Sequence, residues 1–287
     1  MPRTACTDWQ STREDLIRVH PRRSAAKEIL ISVIQLGTID YSTGLRLQQR
    51  LVELRKDAKI GDTLLLLEHT PVITLGRNAK AANIIASREE LLRRGVEVFE
   101  CDRGGDVTFH GPGQLVAYSI FDLRGMSSAD RKRKTLGAIE YVRRLEDMLI
   151  RTCADFKIGT KRIAGLTGVW TSEGEVAKIA ALGVHISRAV TSHGVALNVN
   201  TNLDYFNLII PCGIAAKPVT SMAKELGQVL SLEEVAHSVS RNFGAVFQSH
   251  MLWLESLDDL LGPTIGVPLQ TPRELHELRG DEDTTWA

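Results

Sequence analysis

The chain has 287 residues, and its 35 lysines and arginines balance 35 aspartates and glutamates, so the formal net charge is zero. At 43% hydrophobic and 24% charged it is too apolar and too evenly charged for a disordered chain, and four cysteines are too few for a disulfide scaffold. The even balance removes the simplest support for generalised nucleic-acid binding, and the strongest apolar runs, at 64–67 and at 209–216, where Pro211 interrupts, fall well short of the ~20 residues of a membrane span.

Residues 1–27 are polar, carry Asp8, Glu14 and Asp15 among their arginines and lack the apolar stretch of a secretory signal, so a flexible extension is expected there. Residues 29–36 are apolar and β-branched and predict a strand. Residues 41–58 predict a helix, with Leu47, Leu51, Leu54 and Ala58 at helical spacing. Strands follow at 63–68, ended by Thr70-Pro71, and at 72–75, closed by Gly76. Ser87 and Glu90 have the form of a capping box before a short helix that stops at Gly95. Further strands are predicted at 96–100 and 115–121, on either side of a glycine-rich stretch at 103–113. A long amphipathic helix is predicted at 130–153, with Leu136, Ile139, Val142, Leu145 and Leu149 on one face. Residues 168–199 predict three strands, with turns at 173–174 and 192–194, and Ser231 opens a last helix to about 248. Short turns between strands predict an α+β (mixed α/β) fold, a largely antiparallel or mixed sheet flanked by helices. Without a linker in the middle, one domain is expected at 28–265, followed by a polar, acidic tail at 266–287.

Chemistry concentrates in three places. The stretch Arg103, Gly104, Gly105, Asp106, Val107, Thr108, Phe109 and His110, followed by Gly111-Pro-Gly-Gln114, combines exposed backbone donors with a cation and an imidazole. It lacks the Gly-Lys-Ser/Thr of a Walker loop and the G-x-G-x-x-G of a dinucleotide fold. Cys212, between Pro211 and Gly213, follows a strand-breaking proline, and a thiol there needs a cationic or basic neighbour to attack efficiently. Lys178 lies in a nearly uncharged strand, where it either snorkels to water or enters a pocket and shuttles protons. The two are 34 positions apart, and the sequence alone does not bring them together. Neither Cys6, Cys101, Cys153 nor Cys212 belongs to a C-x-x-C pair, so reduced structural thiols are the default.

The segments 103–114, 178–183, 193–198 and 211–213, together with Glu68-His-Thr-Pro-Val-Ile-Thr-Leu-Gly-Arg77, resemble the lipoyl(octanoyl) transferase family in order and spacing, over about residues 30–245. The resemblance implies a catalytic domain like those of biotin and lipoate protein ligases, with its core at about 60–246. It implies a cytoplasmic enzyme that moves an octanoyl group from acyl carrier protein to a lysine of lipoyl domains, those of 2-oxoacid dehydrogenases and the glycine-cleavage H protein, through an acyl-cysteine. Cys212 is then the nucleophile and Lys178 its activating partner. Arg103, Gly104, Gly105, Asp106, Val107, Thr108, Phe109 and His110, with Ala181, Leu182, Gly183, Gly194, Val195 and Ala196, line the acyl slot. Backbone N–H groups near Leu182 and Gly183 face the oxyanion. No metal, cofactor, nucleic acid or membrane is expected. The rival readings are an octanoyl or lipoyl amidotransferase, an ATP-dependent lipoate or biotin ligase, and a catalytically silent module that binds lipoyl domains. Seven basic residues (Arg131, Lys132, Arg133, Lys134, Arg143, Arg144, Arg151) against Glu140, Glu146 and Asp147 make residues 131–151 either a docking surface for an acidic carrier or a solvated helix face.

Overall fold

The computed structural model describes residues 29–130, 134–211 and 217–262. The expected extension at 1–27, the tail at 266–287, Arg131, Lys132 and Arg133, and Cys212 and Gly213 lie outside the described residues.

The elements run β1 (Ile29–Ile39), α1 (Tyr41–Lys56), β2 (Asp62–His69), β3 (Val72–Leu75), α2 (Arg88–Arg93), β4 (Glu97–Glu100), β5 (Val107–His110) and β6 (Gln114–Ile120), then α3 (Ala138–Asp155), β7 (Thr160–Ile163), β8 (Leu166–Thr171), β9 (Lys178–Ser187), β10 (Val190–Asn198), α4 (Met222–Leu226), α5 (Leu232–Phe247), β11 (Ser249–Leu254) and α6 (Leu257–Leu261). Among the described residues, eight strands form one mixed sheet in the order β11-β1-β2-β6-β10-β9-β8-β7, and β4-β3-β5 form a small second sheet. β1 runs parallel to β2 and β11, while the β2-β6-β10-β9-β8-β7 side is antiparallel throughout. The predicted α+β class with a mixed sheet is the one observed.

The pleat divides the large sheet into two faces. Leu64, Leu66, Leu115, Val195 and Leu197 pack beneath α3 and α5 with Leu145, Leu149, Val239 and Phe243. Leu65, Leu67, Val116, Tyr118 and Ala196 turn to the other face, against Leu47, Leu51 and Leu54 of α1. All four leucines at 64–67 are buried, so the apolar run reads as a central strand covered on both sides. The expected caps are present: Ser87 and Ser231 accept the N–H of Glu90 and Glu234. No described helix is long and apolar enough to cross a membrane.

Two expectations are corrected. The long helix begins at Ala138, with Gly137 as its N-cap, because the preceding segment is held by other partners. Leu136 donates its N–H to the Met126 carbonyl, and the Glu140 carboxylate accepts from Ser128 Oγ and the Ala129 N–H. The buried face is Tyr141, Leu145, Met148 and Leu149, and Ile139 is 81% exposed. The β9–β10 turn lies at Arg188 and Ala189, both at positive φ (51° and 67°), four residues before the expected place. Two consecutive left-handed residues make the tight turn that matches strand twist, here without the Asn or Gly that usually announces it. β10 therefore includes His193 and Gly194.

Candidate active site

A cavity of about 390 Å3 opens on the α1 side of β6, β9 and β10, beneath the loop that precedes β5. The strand register explains its shape. Gly194 of β10 stands opposite Tyr118 of β6 and Gly183 of β9, and Ala196 stands opposite Val116 and Ala181. Directly opposed residues share a face, so small residues on β9 and β10 leave a trough beside the bulk of Tyr118 and Val116. A side chain at Gly194 would place its Cβ 2.1 Å from the Ala117 carbonyl oxygen, so the close approach of β6 requires glycine there.

The glycine-rich loop roofs this trough. The Gly104 N–H donates to the Val184 carbonyl at 3.0 Å, and a Cβ on Gly183 would lie 2.7 Å from the Gly104 carbonyl oxygen and 3.0 Å from Arg103 Cδ. Arg103 is 7% exposed and uses its guanidinium to hold the roof in place. Nε and Nη2 donate to Thr74 Oγ1 at 3.1 and 2.9 Å, Nη2 also to the Thr74 carbonyl at 2.6 Å, and Nη1 to the Gly104 carbonyl at 3.1 Å. Beside it, Asp102 accepts from His193 Nε2 at 2.7 Å, and that hydrogen bond holds the carboxyl down at about 2. His193 adopts φ 56°, an uncommon conformation for a residue other than glycine, and lines the cavity.

The predicted slot residues separate by the pleat. Arg103, Gly105, Asp106, Thr108 and His110 line the cavity, whereas Val107 and Phe109 point into the apolar cluster under the small sheet, with Phe109 stacked on Tyr205 at 4.6 Å. Asp106 also braces the loop, accepting from the Lys80 and Val107 N–H groups and from Asn83 Nδ2. Ala181, Gly183, Gly194 and Ala196 form the floor. Leu182 and Val195 border the cavity, but their side chains belong to the opposite face, in the core beneath α3 and α5. Because the Val184 carbonyl accepts from Gly104 outside the β9–β10 ladder, the antiparallel alternation turns the Leu182 N–H toward the same free edge. Gly183 exchanges its bonds with Gly194. Of these two N–H groups, that of Leu182 is the one outside the β9–β10 ladder.

A buried polar network holds the inner wall. The Ile39 carbonyl fixes the proton of His69 on Nδ1 (3.0 Å), so Nε2 accepts from the Tyr118 hydroxyl at 2.6 Å. Gly44 makes room for this ring, since a Cβ there would sit 2.9 Å from His69 Cε1. His110 donates Nδ1–H to Gln114 Oε1 at 2.7 Å, and Gln114 Nε2 donates to Asn198 Oδ1. Asn198 Nδ2 in turn donates to the Thr220 carbonyl, which reaches the strand neighbour of Lys178. Burial pushes His69 down to about 4 and His110 down to about 3, so both are neutral at pH 7.

Lys178 does enter the cavity wall: it is 6% exposed, and its Nζ lies 4.8 Å from the centroid of the Trp170 ring. Its N–H donates to the Pro218 carbonyl, and its carbonyl accepts from the Thr220 N–H, each at 2.9 Å. Pro211 lines a water-sized void of about 10 Å3 with Lys178, Gln114 and Asn198. On the described chain flanking Cys212, Pro211 thus shares a void with Lys178, and Pro218 and Thr220 bond its backbone. Cys101 is half-buried against the Leu75 carbonyl, and Cys153 is buried in the core, where burial pushes its thiol up to about 12.

Residues 40–244 match the lipoyl protein ligase A/B catalytic domain, which makes the chain a member of that family. The fold is shared with a solved structure of an archaeal lipoylation system, a bi-partite lipoate protein ligase and its E2 lipoyl domain from Thermoplasma acidophilum. Its TM-score is 0.61 at 16% identity, covering 79% of this chain and 87% of that one. Within the family the chain belongs with the octanoyltransferases. That of Koribacter versatilis is 60% identical over 253 residues, covering 88% of this chain and 98% of its own. That of Acidobacterium capsulatum is 56% identical over 238 residues, covering 81% and 96%.

Several cavity residues escape the sequence reading: Tyr41, Asn78, Val116, Tyr118, Gly165, Leu166, Thr167 and His193. His193 carries a signal, as a polar residue beside a glycine in the segment 193–198. Tyr41, Val116 and Tyr118 carried none, because their periodicity marks them equally as core. The basic stretch at 131–151 is also less free than its composition suggests. Arg143 and Arg144 are paired along their own helix with Glu146 and Glu140.

Proposed function

We propose that this octanoyltransferase takes its acyl group from octanoyl-acyl carrier protein, holds it as a thioester on Cys212 and delivers it to a lysine of a lipoyl domain. The observation that carries the reading is Lys178, sunk in the cavity wall over Trp170, bonded through its backbone to Pro218 and Thr220 and sharing a void with Pro211, which precedes Cys212. Lys178 takes the Cys212 proton, and the thiolate attacks the donor carbonyl. The bond to the pantetheine sulfur breaks, and that sulfur leaves with the proton from Lys178. In the second half the acceptor amine attacks the acyl-cysteine and passes a proton to Lys178, which returns it to the Cys212 sulfur as the amide forms. Exchange of one thioester for another is nearly isoenergetic and amide formation is downhill, so the reading needs neither ATP nor a metal. The Trp170 face stabilises the ammonium that Lys178 carries transiently within each half. The Leu182 N–H lies on the cavity edge, where an oxyanion donor is typically worth about 3 kcal/mol. The trough of Ala181, Gly183, Gly194 and Ala196 takes the alkyl chain. The free thiols of Cys101 and Cys153 suit a reducing cytoplasm.

Intact-protein mass spectrometry after incubation with octanoyl-acyl carrier protein is expected to show one octanoyl group added, lost in Cys212→Ala. An adduct that persists in Cys212→Ala overturns the assignment. Lys178→Ala is expected to slow acylation at least ~100-fold while donor affinity stays near wild type; equal losses in rate and affinity make Lys178 structural. Product that forms only with ATP indicates a ligase. Preference for octanoyl-H protein over octanoyl-acyl carrier protein as donor indicates an amidotransferase.

A further inference from the structure

Glu146 of α3 is a carboxylate with no solvent exposure at all. Its Oε2 accepts from Arg143 Nη1 at 2.7 Å and Arg162 Nε at 2.8 Å, and Arg162 Nη2 is tied to the Arg143 carbonyl at 2.8 Å and to Asp147. Its Oε1 points the other way and accepts the Gly168 N–H at 3.2 Å. A buried ion pair of this kind is often no more stabilising than apolar residues of the same volume, so what it contributes is a fixed position for the group it holds.

That group sits against Lys178. Gly168 has φ 135°, and a Cβ there would lie 3.2 Å from Lys178 Cε and 3.1 Å from the Ala180 carbonyl oxygen. The Gly168 peptide is therefore the surface on which the Lys178 stem rests. Gly165, Leu166 and Thr167, immediately before it, line the cavity. Strand pairing fixes this stretch only weakly. The β7–β8 register shifts between Lys161 and Ile163, the β8–β9 register shifts between Val169 and Trp170, and β7 is the edge of the sheet. Glu146 ties the segment between these irregularities to α3.

We propose that Glu146 is a positioning residue for acyl transfer: through the Gly168 N–H it holds the start of β8 against the Lys178 stem and sets where the ammonium lies in the cavity. The inference rests on the proposed role of Lys178 and assigns Glu146 no contact with substrate. Glu146→Leu keeps the volume, removes the acceptor and lets the half-exposed arginines turn to water, so it is expected to fold. It is expected to slow single-turnover acylation by about tenfold or more, to shift the pH profile of that step and to leave donor affinity near wild type. Glu146→Gln retains an acceptor oxygen and is expected to restore the rate to within about threefold of wild type. A wild-type rate and pH profile in Glu146→Leu overturns the proposal, as does equal slowing in both variants with an unmoved profile. If Glu146→Leu does not fold, Gly168→Ala carries the test, because its methyl pushes on Lys178 Cε with Glu146 intact; a wild-type rate there overturns the proposal. Amide hydrogen exchange across residues 160–171 reads the tether without any activity, and is expected to be faster in Glu146→Leu and kept slow in Glu146→Gln. Exchange indifferent to residue 146 overturns the tether even if octanoyl transfer stands. A wild-type protein that forms no adduct counts against the functional reading, while the exchange result still decides the tether.

Discussion

If the trough on β9 and β10 holds the alkyl chain, Ala181→Val shortens the chain that fits. Ala181 is half-buried, lines the cavity and stands in register with Ala196 and, across β10, with Val116. A β-branched residue suits a strand, so the fold is expected to tolerate the change. The two added carbons displace about two methylenes of the ligand, at about 0.8 kcal/mol each, for a loss of about 1.6 kcal/mol with octanoyl and little with hexanoyl. In kcat/KM that is a shift of about 15-fold in the octanoyl-to-hexanoyl ratio. The assay compares the two acyl-carrier thioesters as donors, with formation of the lipoyl-domain amide as the readout. Equal losses for both chain lengths, or an unchanged ratio, refute the reasoning, since the methyls would then not reach the acyl chain.

Gly194→Ala is expected to destabilise the protein by about 2 kcal/mol or more, because its Cβ would meet the Ala117 carbonyl oxygen at 2.1 Å. A melting temperature within error of wild type would show that β6 and β10 separate freely. The inner wall predicts a pH dependence. His69 falls from 6.5 unfolded to about 4 folded and His110 from 6.5 to about 3, so the unfolded chain binds more protons throughout those windows. Their contribution is complete above pH 6.5 and is lost as the pH falls toward 4 and 3. His69→Gln is expected to lessen the fall in melting temperature between pH 6.5 and 4; parallel curves for variant and wild type count against a buried neutral His69.

The sequence by itself determined much of the protein. Apolar alternation and the run at 64–67 specify buried strands, Ser87 and Ser231 specify helix starts, and the motifs around Arg103, Lys178 and His193 mark residues that line the cavity. These are local signals: a cap needs only its own first turn, and a central strand only its own hydrophobicity. The start of α3 was not legible because Leu136 and Ile139 keep a helical period while Leu136 binds Met126 outside the helix. The β9–β10 turn was missed because Arg188 and Ala189 do not advertise the left-handed backbone they adopt. Tertiary structure alone decided what the motifs do together. Strand register puts Gly194 between Tyr118 and Gly183 and so hollows the trough, and pleat sends Val107, Phe109, Leu182 and Val195 away from it. Packing across 22 positions sets Glu146 against Gly168. Such contacts follow from the relative placement of whole elements, on which a single residue's identity carries no information.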